Sequence, residues 1–481
     1  MKRCAKCLMR WRPLCLPLCL LLMLAACGTL HKGADVLPAP FAASLMKAGI
    51  APESVALEVR TVDGQLRLSR HADQPFKPAS VMKLLTTAAA LDLLGPGYRW
   101  ITRVHARGEI TGDVLHGDLI IEGGGDPRFA HEDLSRLLRQ LRARGVREIR
   151  GDLVLDRSLF VTTDIDPAAF DAAPARAYNA LPDALLLDAK ALNLRLMPDQ
   201  QNKSIRISAE PPMQDFIIEA PVMSTVACGN WREQLRPVLT GTSLRFDGSF
   251  SADCGERLFT LHAYTLNHVQ YFGAVFRQLW SELGGNLSGS VRDGTVDANA
   301  HELLQWESPT LAEVIRDINK HSNNVMTRQL LLSLAIERGG APATEKTGSE
   351  RVLNWMAASH IDSRNVVIEN GSGLSRNERL SAATLAHLLQ QVWQSPLMPE
   401  FMASLPLVGI DGTMSRRLSA SPLKGRAHIK TGSLVDVASI AGYLQAKSGR
   451  RVIVVCMVNH PQAAAAREAS DELLMWIYEN Y

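Results

Sequence analysis

Three serines in this chain precede a lysine by three residues: Ser44 before Lys47, Ser80 before Lys83 and Ser421 before Lys424. On a helix that spacing puts both side chains on one face. A serine hydroxyl needs a base to become a nucleophile at neutral pH, and a lysine whose pKa is depressed by burial or by neighbouring cations can be that base. Spacing alone does not choose among the three. Ser44 lies close to the end of an N-terminal leader, and Ser421 is followed by Pro422 and then Gly425, which leave little room for a helix. Ser80 follows Pro78-Ala79 and opens a run with apolar residues at Val81, Leu84, Leu85, Ala88, Leu91 and Leu94, stopped by Gly95-Pro96. The run predicts an amphipathic helix of about four turns, which singles out Ser80 and Lys83. A helix N-terminus also favours negative charge developing beside it.

Two further polar motifs follow in the chain. Ser322-Asn323-Asn324 lies between two helical patterns and, taken alone, is a polar loop with an N-cap. Lys430-Thr431-Gly432-Ser433 ends a short strand-like run and precedes two more. A sheet-edge strand with a glycine lets a substrate backbone lie alongside it, its lysine adds positive charge, and its hydroxyls can hold a carboxylate. Lys346-Thr347-Gly348-Ser349 has the same letters but reads as a loop with a helix cap before Val352–Ala358. There is no G-x-S-x-G elbow and no H-E-x-x-H, and the 13 histidines are scattered, so neither a histidine-based triad nor a zinc hydrolase is expected.

The order Ser-x-x-Lys, Ser-x-Asn, Lys-Thr-Gly is that of penicillin-binding proteins and serine β-lactamases. The chain resembles the low-molecular-mass class C penicillin-binding proteins, the D-alanyl-D-alanine carboxypeptidase/endopeptidases. The resemblance covers nearly all of the chain after its leader. It rests on Pro78-Ala79-Ser80-Val81-Met82-Lys83, on Gly117–Pro127 with its Glu122-Gly123-Gly124-Gly125-Asp126-Pro127, and on Ser322-Asn323-Asn324. It rests also on Asn370-Gly371-Ser372-Gly373-Leu374-Ser375-Arg376, Asp411-Gly412-Thr413 and Lys430-Thr431-Gly432-Ser433. The long gap between Ser80 and Ser322 marks this class against the β-lactamases.

The resemblance implies that Ser80 is acylated and Lys83 is its general base. It implies that Ser322 relays a proton to the leaving amine beside Lys430, and that Asn324 holds the peptide carbonyl. By the same carry-over, the N–H groups of Ser80 and Ser433 form the oxyanion hole, and Thr431, Gly432 and Ser433 receive the terminal carboxylate. Arg376, with Asp171 as a weaker partner, would bind the free end of a diacid residue in the stem peptide, with a structural surface pair as the alternative. The substrates implied are peptidoglycan stem peptides, with β-lactams as covalent inhibitors and no cofactor. Two positions depart from the family pattern: Asn370 stands for an aspartate, and the aromatic run around Ala177–Ala180 is reduced to Tyr178. Both bear on side-chain recognition rather than on the reaction. A β-lactamase, and a catalytically idle wall-binding lipoprotein, are the other readings of the same motifs.

The elements that must position these residues have a recognisable order. Val55–Arg60 and Gln65–Ser69 alternate about Asp63-Gly64, a hairpin signature. Strand patterns return at His428–Lys430, Ser439–Lys447 and Arg451–Asn459, and a helix closes the chain at about 464–478. Helical patterns occupy Leu311–Lys320, Val325–Ile336 and Thr384–Gln394, whereas the stretch from about 100 to 300 has short strand-like runs, such as Asp118–Glu122, Asp152–Asp156 and Ser204–Ala209. The glycines of 123–125 lack the spacing of a phosphate loop and read as a turn. An α/β (α+β) fold follows: one antiparallel sheet built from both ends of the chain, flanked by helices. The family's β-lactamase/transpeptidase-like fold adds two nested β-rich insert domains. The expected partition is a signal peptide at 1–26, the transpeptidase-like domain at 27–83 and 301–481, one insert at 84–108 and 182–300, and a second at 109–181.

Length and composition suit this reading. The 481 residues are 46% hydrophobic and 21% charged, ample for packed cores and unlike a disordered chain. The formal charge is +3, but Lys2, Arg3, Lys6, Arg10 and Arg12 all lie in the first 26 residues, which hold no acid. The remainder is slightly acidic, so no nucleic-acid footprint exists. Those basic residues, the apolar run Leu14–Leu24 and Leu24-Ala25-Ala26-Cys27 form an export signal too short to span a bilayer. The last four residues match a bacterial lipobox, which predicts a periplasmic protein lipid-anchored at Cys27; ordinary cleavage with release is the alternative. Cys4, Cys7, Cys15 and Cys19 leave with the leader. Cys228 and Cys254 are placed to close a loop in an oxidising compartment. Cys456, inside Val452–Val458, reads as a buried thiol, and no CxxC pair remains to form a zinc site.

Overall fold

The computed structural model describes residues 35–162 and 165–481, so the leader and Cys27 lie outside the described residues. The two ends of the chain build one five-stranded sheet. Its order is Ala427–Leu434, Val437–Gln445, Arg451–Asn459, Val55–Thr61 and Leu66–Arg70, antiparallel throughout. Arg451–Asn459 is the central strand, and it is buried on both faces from Val452 to Val458. That explains why its sequence is an unbroken apolar run rather than an alternating one. Cys456 is fully enclosed there and free, and burial pushes its thiol up to about 12.

Each face of the sheet carries its own core. Ala39–Lys47 and the closing helix Ala466–Asn480 cover one face, packing Phe41, Leu45, Leu473 and Ile477 onto Leu57, Ile440 and Val454. The other face holds Met82–Leu94, Leu311–His321, Asn324–Gly339 and Ala382–Gln394. Met82–Leu94 is the expected helix, but it is buried on more than the one apolar face that its periodicity predicts. Every residue from Met82 to Leu91 is buried, including Lys83, Thr86 and Thr87. A helix enclosed on all sides must give each polar side chain a partner, and it does. Thr86 Oγ1 donates to Gly371 O at 2.7 Å and Thr87 Oγ1 to Lys83 O at 2.7 Å.

The inserts lie between Met82–Leu94 and Leu311–His321, and the expected boundaries shift. A break at 83/84 would cut a helix whose Leu84–Leu91 belong to the same core as Leu311, Ile315 and Leu385. A break at 108/109 would divide Ile101–Thr111, which is bonded along its length to Val114–Glu122. These two strands lie in a seven-stranded sheet that also includes Leu153–Asp156, Val291–Gly294 and His301–Glu307. The helices His131–Ala143 and His268–Glu282 pack on it. The strands and helix of 109–156 therefore belong to the first insert, whose sheet runs on to Glu307. The nested unit is residues 191–262. It has three small sheets and a separate core around Trp231, Leu244 and Phe250. Cys228 and Cys254 are joined within it.

Buried polar contacts clamp the first insert onto the helical layer. Gln329, on Asn324–Gly339, accepts the Asp183 N–H at 2.8 Å and donates to Asp183 O at 2.9 Å and Gly125 O at 3.2 Å. Trp100 Nε1 donates to Ser333 Oγ at 2.8 Å. The glycine run at 123–125 is not the turn that its sequence suggests but a place of close backbone packing, and the turn falls at 127–128. A Cβ at Gly124 would lie 2.1 Å from Ile101 O, and one at Gly123 would lie 2.4 Å from Ala184 O.

Candidate active site

The structure brings Ser80, Lys83, Ser322, Asn324 and Lys430 to one place, from three segments distant in sequence. Ser80 sits in a short 3-10 turn, Ala79–Val81, immediately before Met82–Leu94. Ala79 has φ +49°, a strained value for a residue with a Cβ. Turn and helix together set Lys83 beneath the serine, with Nζ 3.1 Å from Ser80 Oγ. Ser322 caps Leu311–His321 in the left-handed region, φ +56°, and Asn324 opens the next helix. Asn319, in the preceding turn, donates from Nδ2 to Thr87 Oγ1 at 3.2 Å and to Ser404 Oγ at 2.9 Å, which fixes this helix against the one carrying Lys83.

Lys83 is completely buried. Its Nζ donates to Asn324 Oδ1 and to Ser372 O, both at 2.5 Å. Those two oxygens only accept, so they occupy two N–H bonds of the amine. The third position faces the Ser80 hydroxyl. Burial lowers the pKa of Lys83 to about 7, against the opposing pull of Glu378. The amine at neutral pH thus offers Ser80 a lone pair. Lys430 is likewise fully enclosed, and Nζ donates to Ser322 Oγ at 2.8 Å and Thr431 O at 2.7 Å. Burial drives its pKa well below the ordinary lysine value, and the charge of Lys83 adds to the effect.

The strand Ala427–Leu434 is the edge of the five-stranded sheet. Its Ile429 N–H points outward, to Pro406 O at 2.8 Å. Backbone N–H groups of an antiparallel strand alternate in direction, so those of Thr431 and Ser433 point outward too. Gly432 lies against the nucleophile. A Cβ there would meet Ser80 N at 2.8 Å, Pro78 O at 3.0 Å and Ser439 Oγ at 2.3 Å. Only glycine lets the strand come this close, and the approach brings the backbone of Ser80 beside that of Ser433. Thr431 Oγ1 donates to Thr413 Oγ1 at 2.8 Å, while Ser433 is exposed.

The other serine–lysine pairs are not assembled in this way. Ser44 and Lys47 do lie on one helix, but at its end, with Lys47 exposed and paired to Glu468. Ser421 Oγ donates to Leu418 O in a turn. Lys346 is in the first turn of Glu345–Ala358 and is 85% exposed, so that motif is indeed a helix start. Asp171 and Arg376 come near each other without bonding. Arg376 stacks its guanidinium over the Phe170 ring at 5.1 Å and donates to Phe170 O at 3.3 Å. Asp171 accepts from Tyr178 OH at 2.6 Å and Asn179 Nδ2 at 2.8 Å.

Known proteins arranged in this way decide the family. The family model of the D-Ala-D-Ala carboxypeptidase 3 (S13) peptidases matches residues 41–479. The chain belongs to that family. It is thereby a serine-type D-Ala-D-Ala carboxypeptidase, a hydrolase. A D-alanyl-D-alanine carboxypeptidase of Actinomadura sp. strain R39 is 29% identical over 85% of this chain and 79% of its own. The D-alanyl-D-alanine carboxypeptidase DacB of Haemophilus influenzae is 27% identical over 79% and 80%. A crystal structure of penicillin binding protein 4 from the same organism superposes with a TM-score of 0.74 at 23% identity, covering 90% of this chain and 99% of that one.

Sequence motifs missed part of the S13 site. Ser372 lies inside a segment quoted for the resemblance, yet its role falls to a backbone carbonyl, which no side-chain pattern reveals. Asn370 is closer to the chemistry than its departure from the family pattern suggests. Its Oδ1 accepts from Ser372 N at 2.9 Å and Ser372 Oγ at 2.7 Å, and so helps set the carbonyl that holds Lys83. Gly432→Ala should lower the rate of acylation by a β-lactam by about 100-fold or more, because it pushes apart two backbones that together stabilise developing charge. The circular dichroism spectrum should be unchanged. Acylation at the wild-type rate would contradict the close approach as a requirement.

Proposed function

We propose that this enzyme cleaves the D-Ala–D-Ala bond of peptidoglycan stem peptides through an ester on Ser80. One observation carries the assignment of the nucleophile. Lys83 Nζ has both N–H bonds committed to acceptor-only oxygens and its remaining position directed at Ser80 Oγ. In the first half-reaction Lys83 takes the Ser80 proton as Oγ bonds to the carbonyl carbon of the penultimate D-Ala. The N–H groups of Ser80 and Ser433 receive the negative charge on the carbonyl oxygen. Asn324 orients the peptide, and the hydroxyls of Thr431 and Ser433 beside Gly432 receive the terminal carboxylate. Collapse of the tetrahedral adduct breaks the C–N bond. The leaving nitrogen takes its proton from Ser322, which lies against Lys430, and the proton that Lys83 took from Ser80 is relayed to Ser322, so that Lys83 is neutral again. In the second half a water gives a proton to Lys83 and its oxygen to the acyl carbon, and Ser80 leaves with that proton.

A cross-link between stem peptides presents the same kind of bond with a larger leaving group. An exposed Ser433 on an edge strand supports endopeptidase action at the same centre. β-Lactams would acylate Ser80 as substrates do and persist as esters; the relative of known structure from H. influenzae was also solved with a β-lactam. Export through the 1–26 leader and lipid anchoring at Cys27 complete the reading. Among the described residues no helix is long and apolar enough to cross a membrane.

Fluorescent penicillin should label the wild type and not Ser80→Ala. Mass mapping should find the adduct on the peptide carrying Ser80. An adduct on Ser44 or Ser421 would overturn the mechanism.

Arg376 supports recognition of a diacid residue in the stem peptide, since it is exposed, is held by Phe170 and has no carboxylate in ion-pair contact among the described residues. Asp171 is the weaker partner, with its oxygens engaged by Tyr178 and Asn179. Arg376→Ala should lose about tenfold more kcat/KM on a diacid-bearing stem peptide than on a tripeptide ending in D-Ala-D-Ala. Equal losses on the two substrates would end the recognition role.

A further inference from the structure

Glu378 lies outside every motif described above, and its carboxylate is fully buried. Four backbone N–H groups converge on it. Oε1 accepts from Glu369 at 3.1 Å, Asn370 at 3.0 Å and Gly371 at 2.7 Å, and Oε2 accepts from Gly373 at 2.8 Å. Gly371 and Gly373 have φ of +71° and +83°, so the loop curls around the carboxylate in a way that needs glycine at both. A neutral amide could not replace it, since its NH2 would face N–H groups.

The curled loop is the floor of the active site. Its Ser372 carbonyl accepts from Lys83, and its Gly371 carbonyl accepts from Thr86 one turn further along the same helix. Gly373 presses on the residue before the nucleophile, where an added Cβ would lie 1.9 Å from Ala79 O. The Ser375 hydroxyl accepts the N–H of Glu378 at 3.1 Å and donates to Glu369, closing the loop on itself. Glu378 therefore holds the nucleophile turn and Lys83 through one carboxylate.

We propose that Glu378 is a positioning residue: its carboxylate fixes the loop so that the Ser372 carbonyl meets Lys83, and its negative charge is the buried counter-charge of that lysine. The proposal rests on Lys83 acting as the base for Ser80. The charged groups that bear on Lys83 are Glu378 and Lys430, of opposite sign. Burial opposes ionisation of Glu378, and the four N–H bonds favour it. An ionised Glu378 favours protonated Lys83; its removal must release that proton more easily and leave Lys430 unopposed.

The test is the pH profile of penicillin acylation in wild type, Glu378→Gln and Glu378→Asp. Glu378→Gln removes the charge, so the acid limb should move at least about half a pH unit lower, with a rate about tenfold or more below wild type. Glu378→Asp keeps the charge and shortens the reach. Its limb should stay at the wild-type midpoint while its rate falls. A Glu378→Gln limb at the wild-type midpoint would overturn the counter-charge, whatever the rate. Should Glu378→Gln fail to fold, wild-type enzyme carrying [13Cδ]glutamate decides the point. The carboxyl resonance absent from Glu378→Asp should be that of an ionised carboxylate across the limb, and a protonated one there would refute the proposal. A wild type that penicillin does not acylate at Ser80 would instead sink the reading of the reaction itself.

Discussion

Everything at this site depends on placing an amine where water cannot reach it. In water a lysine holds its proton far too tightly to serve as a base at neutral pH. Enclosing Lys83 removes the hydration that stabilises the ammonium, and burial lowers its pKa to about 7. The cost of burial then has to be met by hydrogen-bond acceptors from elsewhere in the chain. Asn324 and the Ser372 carbonyl supply them, from segments hundreds of residues further along. The fold is in this sense a way of closing three remote segments over one side chain.

That requirement explains features that otherwise look unrelated. The helix after Ser80 is buried all round because its first turn must be. The layer of helices over the sheet is held in register by polar contacts, Asn319 to Thr87 and Thr86 to Gly371, rather than by apolar packing alone. Apolar contacts can slide, whereas a buried hydrogen bond admits few geometries, and displacement of a catalytic group by about 1 Å can cost 100-fold in rate. Gly432 and Gly373 bring two backbones against the nucleophile turn, one from the sheet edge and one from the loop around Glu378. The strained Ala79 belongs to that turn.

Much of this was legible in the residues. The three motifs, the helix after Pro78-Ala79, the sheet from both termini and the buried Cys456 follow from spacing and periodicity. The insert boundaries did not, because short strands of 100–300 carry no signal of which partner they bond. Only the ladder of Ile101–Thr111 with Val114–Glu122 and the separate core around Trp231 divide that stretch. Periodicity also marked only one apolar face of Met82–Leu94, and nothing local to Thr86 and Thr87 reveals that they too are enclosed. Glu378 was invisible for a further reason. An acidic residue between Asn377 and Arg379 looks like surface, and nothing local reveals that four N–H groups will enclose it.

The reaction turns on the protonation of one side chain, and that can be observed directly. Enzyme grown with lysine labelled at 13Cε should show one resonance, lost in Lys83→Ala, that titrates with a midpoint near pH 7, as its buried position dictates. A midpoint near 10.5, the ordinary lysine value, would mean that Lys83 is an ammonium throughout the working range and cannot take the proton of Ser80.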